Sequence, residues 1–386
     1  MKIAARAVDR RQVLRWLGSA AATSGLTRAE GAAGMKAAVI GHTGGGDYGH
    51  GLDQIFKDRA GLEVVAVADP DEAGRRKAQE RSGAARSYAD YRELLGREKP
   101  QLVSVAMRHS VPHHEIILAA LHAGAHVYVE KPFSVTPAES DELLAEAKKR
   151  GLKIAVAHTM RVTPGIRGLG KLLGEGGLGE LVELRAFGKQ DARAGGEDLM
   201  VLGSHLMDLM RVFAGDPLWC TARVRQGDRE ITAADARTVR DNVGPVAGNH
   251  VFAQYAFARG VQGSFASSAR LKETVGHWGL EVWGSKGVAR INCDLEPHVF
   301  VRSAGAWKPE GRTDEWKPLN AKYLDGSGLD PVGDWLAAIK ENRAPACSGE
   351  NGAWAVEMVL AAYHAALTGG RVAFPLTNRK HPLAQV

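Results

Sequence analysis

Ala37-Ala38-Val39-Ile40-Gly41-His42-Thr43-Gly44-Gly45-Gly46-Asp47-Tyr48-Gly49-His50-Gly51 is the stretch that decides the fold. A short β-branched run passes into a glycine-rich turn, and the apolar spacing beyond it predicts a helix over Gly51–Arg59. Glycines in such a turn let the backbone approach a pyrophosphate, whose charge is met by amide N–H groups and a helix N-terminus. The turn is a longer, looser form of the G-x-G-x-x-G fingerprint, and Gly41, Thr43, Gly44, Gly46, Tyr48 and Gly49 are its candidate cofactor contacts. The next strand, Glu63–Ala68, ends in Asp69, where a carboxylate can accept both ribose hydroxyls of an adenosine half. A carboxylate there repels a 2′-phosphate, which favours NAD, while Arg75 and Arg76 leave NADP open. Capping the helix that starts after Pro70 is a second use for Asp69, compatible with the first.

Outward from this stretch, short β-branched runs alternate with amphipathic segments, the pattern of βαβ units on a parallel sheet. Further strands are expected at Leu102–Ala106, His126–Val129 and Lys153–Ala157, and helices at Asp71–Arg81, Ala89–Gly96, His113–Ala123 and Pro137–Arg150. In His113–Ala123 the residues Ile116, Ile117, Ala120 and Leu121 share one face, which should pack on the sheet. Past Arg161 the pattern changes to a helix near Gly165–Gly174 and longer alternating strands at Leu181–Phe187, Val251–Phe257, Val261–Ser267, Leu280–Trp283 and Val288–Ile291. Such alternation argues for an open, mostly antiparallel sheet with one covered face. The expected organisation is a doubly wound Rossmann domain over 35–157, then an α/β substrate and oligomerisation domain over 158–386. Its late helices, Pro331–Lys340 and Trp354–Leu367, would pack back toward the cleft.

The chain has 386 residues, 45% of them hydrophobic, enough for two domains with their own cores. The formal charge of +6 is scattered among acids rather than gathered into a basic stripe, which argues against a nucleic-acid partner. Cys220, Cys293 and Cys347 are odd in number and far apart, fitting buried free thiols better than a disulfide framework or a zinc site. Residues 1–34 differ from the rest. Arg10-Arg11 precedes an Ala-rich, weakly apolar run, which resembles a twin-arginine export signal and implies a periplasmic or exported protein. The alternative is translation from Met35, which opens the first strand directly and would leave a cytoplasmic protein. No later apolar run is long enough to anchor the chain in a membrane.

The segment Ala119-Ala120-Leu121-His122-Ala123-Gly124-Ala125-His126-Val127-Tyr128-Val129-Glu130-Lys131-Pro132 resembles the Gfo/Idh/MocA family, whose Glu-Lys-Pro motif follows a helix ending in Ala-Gly and a short Val-rich strand. The similarity continues through Met160-Arg161-Val162-Thr163-Pro164, Gly203-Ser204-His205-Leu206-Met207-Asp208 and Trp283-Gly284-Ser285-Lys286-Gly287, nearly the whole chain after Met35. The resemblance implies an NAD(P)-dependent dehydrogenase or reductase, a homo-oligomer (dimer or tetramer), acting on a CH–OH group of a sugar, inositol or related polyol. By it, Lys131 would point into the cleft between nicotinamide and substrate and stabilise charge on the reacting oxygen. His205 would be the proton acceptor, a role that suits a neutral imidazole. His109, His113 and Glu130 join the expected cofactor contacts. His158, Arg161, Glu197, Asp198 and Asp208 join the expected substrate contacts, with Asp208 one helical turn from His205. No metal is expected, since His109, His113 and His114 lack the spacing and carboxylate partner of a ligand set.

One position departs from the family pattern. Many sugar and inositol dehydrogenases of the family carry an Asp four residues before the His, where this chain has Val201. Glu197 and Asp198 are the nearest carboxylates to replace it, or else an N-terminal helix cap. The departure keeps two other readings open: a redox-neutral glycosidase that oxidises a sugar transiently and restores it, and a non-catalytic sensor of NAD or sugar.

Overall fold

The computed structural model describes residues 34–271, 278–303, 305 and 315–384, so the export signal expected over residues 1–34 lies outside them but for Gly34. Six strands form an all-parallel sheet in the order β3-β2-β1-β4-β5-β6: β1 (Met35–Ile40), β2 (Leu62–Ala68), β3 (Arg86–Tyr88), β4 (Leu102–Val105), β5 (His126–Val129) and β6 (Ile154–Val156). That is the doubly wound Rossmann order. The connecting helices are α1 (Glu72–Ser82), α2 (Tyr91–Glu98), α3 (His113–His122) and α4 (Pro137–Arg150). Their ends are written locally. α4 opens on a Thr136–Glu139 capping box with Pro137 in its first turn and closes on Gly151 at φ +68°.

Alternation along β1 covers both faces of the sheet. Ala38 and Ile40 pack with Ile116, Ile117 and Leu121 of α3, while Ala37 and Val39 pack with Leu52, Phe56 and Trp335. On that second face the structure departs from expectation, because Gly51–Arg59 is a succession of turns rather than a helix. Its amides bond three residues back, Gln54 to Gly51 and Lys57 to Gln54, and Gly51 (φ +84°) and Asp58 (φ +57°) sit in left-handed backbone that interrupts a helix at both ends. The apolar spacing there is met by burying Leu52 and Phe56, with Ile55 packed beside them. Trp335, from a late helix, completes the layer at 6.2 Å from the Phe56 ring and 5.7 Å from that of Tyr128.

Beyond β6 come α5 (Pro164–Gly174), β7 (Leu181–Phe187), α6 (Gly196–Val201), α7 (Gly203–Ala214), β8 (Pro217–Gln226), β9 (Arg229–Glu230), β10 (His250–Phe257) and β11 (Gln262–Ser268). The described chain finishes with β12 (Gly279–Gly284), β13 (Gly287–Asn292), β14 (His298–Ser303), β15 (Lys317–Pro318), α8 (Pro331–Glu341), α9 (Gly349–Thr368) and β16 (Val372–Ala373). The second sheet runs β15-β14-β13-β12-β7-β11-β10-β8-β16, antiparallel throughout except for β11 beside β7. One face is covered: Val251, Ala253 and Tyr255 of β10 turn inward, and the Tyr255 hydroxyl reaches Met358 O of α9 at 3.0 Å. Among the described residues no helix is long and apolar enough to cross a membrane.

Candidate active site

The carboxyl ends of β1, β2 and β4 border a crevice of about 370 Å³ lined by Ile40, Gly41, Ala68, Asp69, Met107 and Ile116, among others. A larger opening, about 640 Å³, lies on the far side of the glycine turn between Gly44, Gly46, Arg108 and His109 and the second-domain residues Arg193, Glu197 and Asp241. The turn between the two spaces is held by Asp69. Its buried carboxylate accepts from Thr43 N (3.0 Å), Thr43 Oγ1 (2.7 Å), Tyr48 Oη (2.7 Å) and Asp71 N (2.9 Å). The expectation that Asp69 offers a free carboxylate to a ribose is therefore corrected: in this conformation its lone pairs anchor the turn. The Tyr48 ring lies against Gly41, where an added Cβ would meet it at 2.1 Å, so only glycine fits.

Do these residues suit a dinucleotide? Gly44 (φ +78°) faces open space and Gly46 (φ +95°) abuts the backbone amides of Arg108 and His109, leaving a concave run of main chain beside both spaces. Behind it, Glu130 is fully buried and its Oε2 has no partner among the described residues. These features suit a dinucleotide: the crevice would take an adenosine half, Gly44 and Gly46 would face a pyrophosphate, and Glu130 would accept from a hydrogen-bond donor at the far end. The expected helix N-terminus is absent from this cradle, so the amides of the turn meet the charge alone.

Lys131 follows β5 directly and is 5% exposed. Its Nζ donates to Val201 O at 3.0 Å. The position that lacks the family's carboxylate thus contributes its backbone carbonyl, because α6 ends at Val201 and α7 begins at Gly203, which turns that carbonyl toward the lysine. Burial lowers the Lys131 pKa, only partly opposed by Glu130. His205, on the first turn of α7 and 8% exposed, has its pKa driven well down, first by burial and then by Lys131 and His158, so it is a neutral base at pH 7. The His158 ring stands edge-on to it at 5.4 Å, and Trp278 flanks it at 5.8 Å.

Other expected residues take different places. Asp198 is fully buried and accepts from Ser267 Oγ (2.6 Å), Gln190 N (3.0 Å) and Lys189 N (3.2 Å). It clamps α6 to β11 and does not replace the missing carboxylate, which corrects the expectation for it. His113 has both ring nitrogens at 2.9 Å from carbonyls, Pro132 O and Met107 O, and braces the chain after Lys131 instead of touching a cofactor. Asp208 meets Arg161 Nη1 at 2.5 Å, and burial lifts its carboxyl to about 6 against the pull of Arg161. That pair ties the segment after β6 to α7, the helix that carries His205. Glu197 and His109 line the larger opening, and burial raises the Glu197 pKa and lowers that of His109. Gly49 leaves room for Glu130, whose Oε2 would lie 2.7 Å from a Cβ there.

Two residues were missed by the sequence reading. His50 reaches Glu130 Oε1 at 3.3 Å from the glycine turn, and its place in the quoted stretch was the available signal. Trp278 gave none, since only the fold brings it beside His205.

Comparison with known proteins matches residues 35–158 to the profile described as "Oxidoreductase family, NAD-binding Rossmann fold" and 185–374 to its "C-terminal alpha/beta domain". The chain is similar to a D-apiose dehydrogenase of Paraburkholderia graminis, 24% identical over 352 residues covering 88% of this chain and 89% of that one. It is 32% identical to the trans-1,2-dihydrobenzene-1,2-diol dehydrogenase of Bos taurus over 245 residues, 60% of this chain and 67% of that one. Among solved structures, a levoglucosan dehydrogenase in complex with NADH and levoglucosan superposes with a TM-score of 0.70 at 21% identity, covering 89% of this chain and all of that one, a likeness of fold.

Proposed function

We propose that this chain, which belongs to the Gfo/Idh/MocA family of NAD-dependent oxidoreductases, acts on a secondary hydroxyl of a sugar or related polyol, with Lys131 and His205 as its catalytic pair. The observation that carries the reading is the Lys131–Val201 bond of 3.0 Å, which ties the lysine after β5 to the segment that presents His205 one turn later. The named activities of the relatives, on apiose, a dihydrodiol and levoglucosan, support a polyol substrate.

NAD, when bound, supplies the acceptor for the electron pair of the C–H bond. The protein does the rest. The Lys131 ammonium, fixed by Val201 O, holds the reacting oxygen and stabilises charge as its proton leaves. His205 is neutral and takes that proton, returning it in the reverse direction. Burial of both side chains excludes water and strengthens each contact.

Lys131→Met is expected to cut turnover by roughly 100-fold or more while NAD binding, read by calorimetry, stays within a few-fold. Unchanged turnover of D-apiose, levoglucosan and myo-inositol in that variant would overturn the assignment. Release of p-nitrophenol from aryl glycosides without net NADH would replace it with the redox-neutral reading. The Arg10-Arg11 leader supports export, which fractionation of cells expressing the full chain tests.

A further inference from the structure

The strongest unexplained feature is a cluster of ring nitrogens. His158 is 2% exposed, and neither of its nitrogens has a partner among the described residues. His205, beside it, has an unpartnered Nδ1, and Trp278, on the other flank of His205, has an unpartnered Nε1. A buried polar atom left unpaired is destabilising, and most buried polar atoms in folded proteins are paired. Four such atoms around three adjacent rings therefore point to a partner that arrives from outside, either a ligand or an ordered water that a ligand displaces.

We propose that His158 and Trp278 form a subsite for a second hydroxyl of the substrate, next to the one that reacts at Lys131 and His205. The inference rests on the polyol reading above and narrows it to substrates with adjacent hydroxyls. The chemistry of the three rings selects this group. Burial and the nearby Lys131 and Arg161 keep His158 neutral, so it offers one N–H and one lone pair, while the Trp278 indole offers an N–H alone. A hydroxyl both accepts and donates, and satisfies such a mixed set. An ionised carboxylate has no proton for the imidazole lone pair, and an amine would face the Lys131 and Arg161 charges. The subsite thus takes a neutral vicinal diol in preference to a sugar acid or an amino sugar.

The test uses the NAD-loaded protein and four probes, D-glucose, D-xylose, myo-inositol and levoglucosan, with monodeoxy analogues of whichever binds tightest by calorimetry. In the wild type, loss of one hydroxyl beside the reacting carbon is expected to weaken binding at least about 10-fold, the size expected when buried polar groups lose their partner. In His158→Phe and in Trp278→Phe the parent and that analogue should bind within about twofold of each other. His158→Asn, which keeps a donor and an acceptor, should restore much of the discrimination and covers the case in which His158→Phe fails to fold. Variants that keep the full wild-type penalty, or a wild type that binds none of the four probes, would overturn the subsite. Hydride transfer is read separately as NADH absorbance. Binding that discriminates without NADH formation would sink the dehydrogenase reading alone, and NADH formation with unchanged discrimination would sink the subsite alone.

Discussion

Asp198 and Val201 show how one carboxylate and one carbonyl divide their partners near Lys131. The carboxylate nearest to Val201 in sequence is drawn into the core by three donors, and the carbonyl of Val201 takes the lysine instead. A peptide oxygen carries less charge than a carboxylate, so it anchors the ammonium without neutralising it, which suits the role proposed for Lys131. Because Asp198 holds α6 to β11, Asp198→Ala should destabilise the fold by on the order of 3 kcal/mol, leaving the Ser267 hydroxyl and two amides unpaired. Urea unfolding measures this, and a loss below about 0.5 kcal/mol would contradict the clamp role. Glu197→Gln, at the opening, should change substrate KM while leaving stability within about 0.5 kcal/mol.

The glycine turn is the element proposed to carry the cofactor. It is pinned by Tyr48 and Thr43 on Asp69, and Gly41 is the one residue that fits beneath the Tyr48 ring. Gly41→Ala should displace that ring and weaken NAD binding by roughly 10-fold or more with the rest of the fold retained, read by calorimetry beside far-UV circular dichroism. Unaltered affinity would show that the turn has another way to meet the dinucleotide. The parallel strands β1, β2, β4, β5 and β6 and the helices α1, α3 and α4 were legible in the sequence because each is fixed locally, by a β-branched run bounded by turn residues, by apolar periodicity or by caps such as Thr136 and Gly151, whereas the three-residue β3 carries no such run and was not foreseen. Gly51–Arg59 was not, since its apolar spacing suits a helix and only tertiary burial of Phe56 under Trp335 selects turns. At the site, Lys131 and His205 were legible through motif residues, whereas the partners of Asp69, Asp198 and His113 depend on contacts between segments far apart in the chain. Trp278 is the extreme case, 73 residues from the ring it flanks.

At the scale of the molecule, buried titratable groups tie stability to pH. His158, held to about 3, and His205, held well below its ordinary value, are neutral when folded but take up protons near pH 6.5 when unfolded. Their depressed values contribute stability that is present above about pH 6.5 and lost as pH falls toward 3. Asp208, raised to about 6, acts in the opposite sense: its contribution is complete below its unfolded value near 3.9 and is lost as pH rises through 6. Between pH 4 and 6 the unfolded chain binds the extra protons of two histidines against one on the folded aspartate. These groups therefore make the protein less stable as it is acidified, by about 1.4 kcal/mol per pH unit for each net proton. His158→Asn should flatten that slope in urea titrations from pH 7 to 4, and an unchanged slope would contradict the buried neutral imidazole. The uncovered face of the second sheet carries Phe252, Arg185 stacked on Trp283, and Glu281 paired with Arg290, a mixture of apolar and self-complementary charged groups.

Hydride transfer through Lys131 and His205 can be followed with a label. A polyol carrying deuterium on the carbon to be oxidised is incubated with the protein and NAD, and the reduced cofactor is examined by NMR at C4 of the nicotinamide. The wild type is expected to deliver deuterium there, and Lys131→Met and His205→Phe, still able to bind NAD, to do so at least roughly 100-fold more slowly. Label delivered at the same rate by all three proteins, or by none of them, would contradict that expectation.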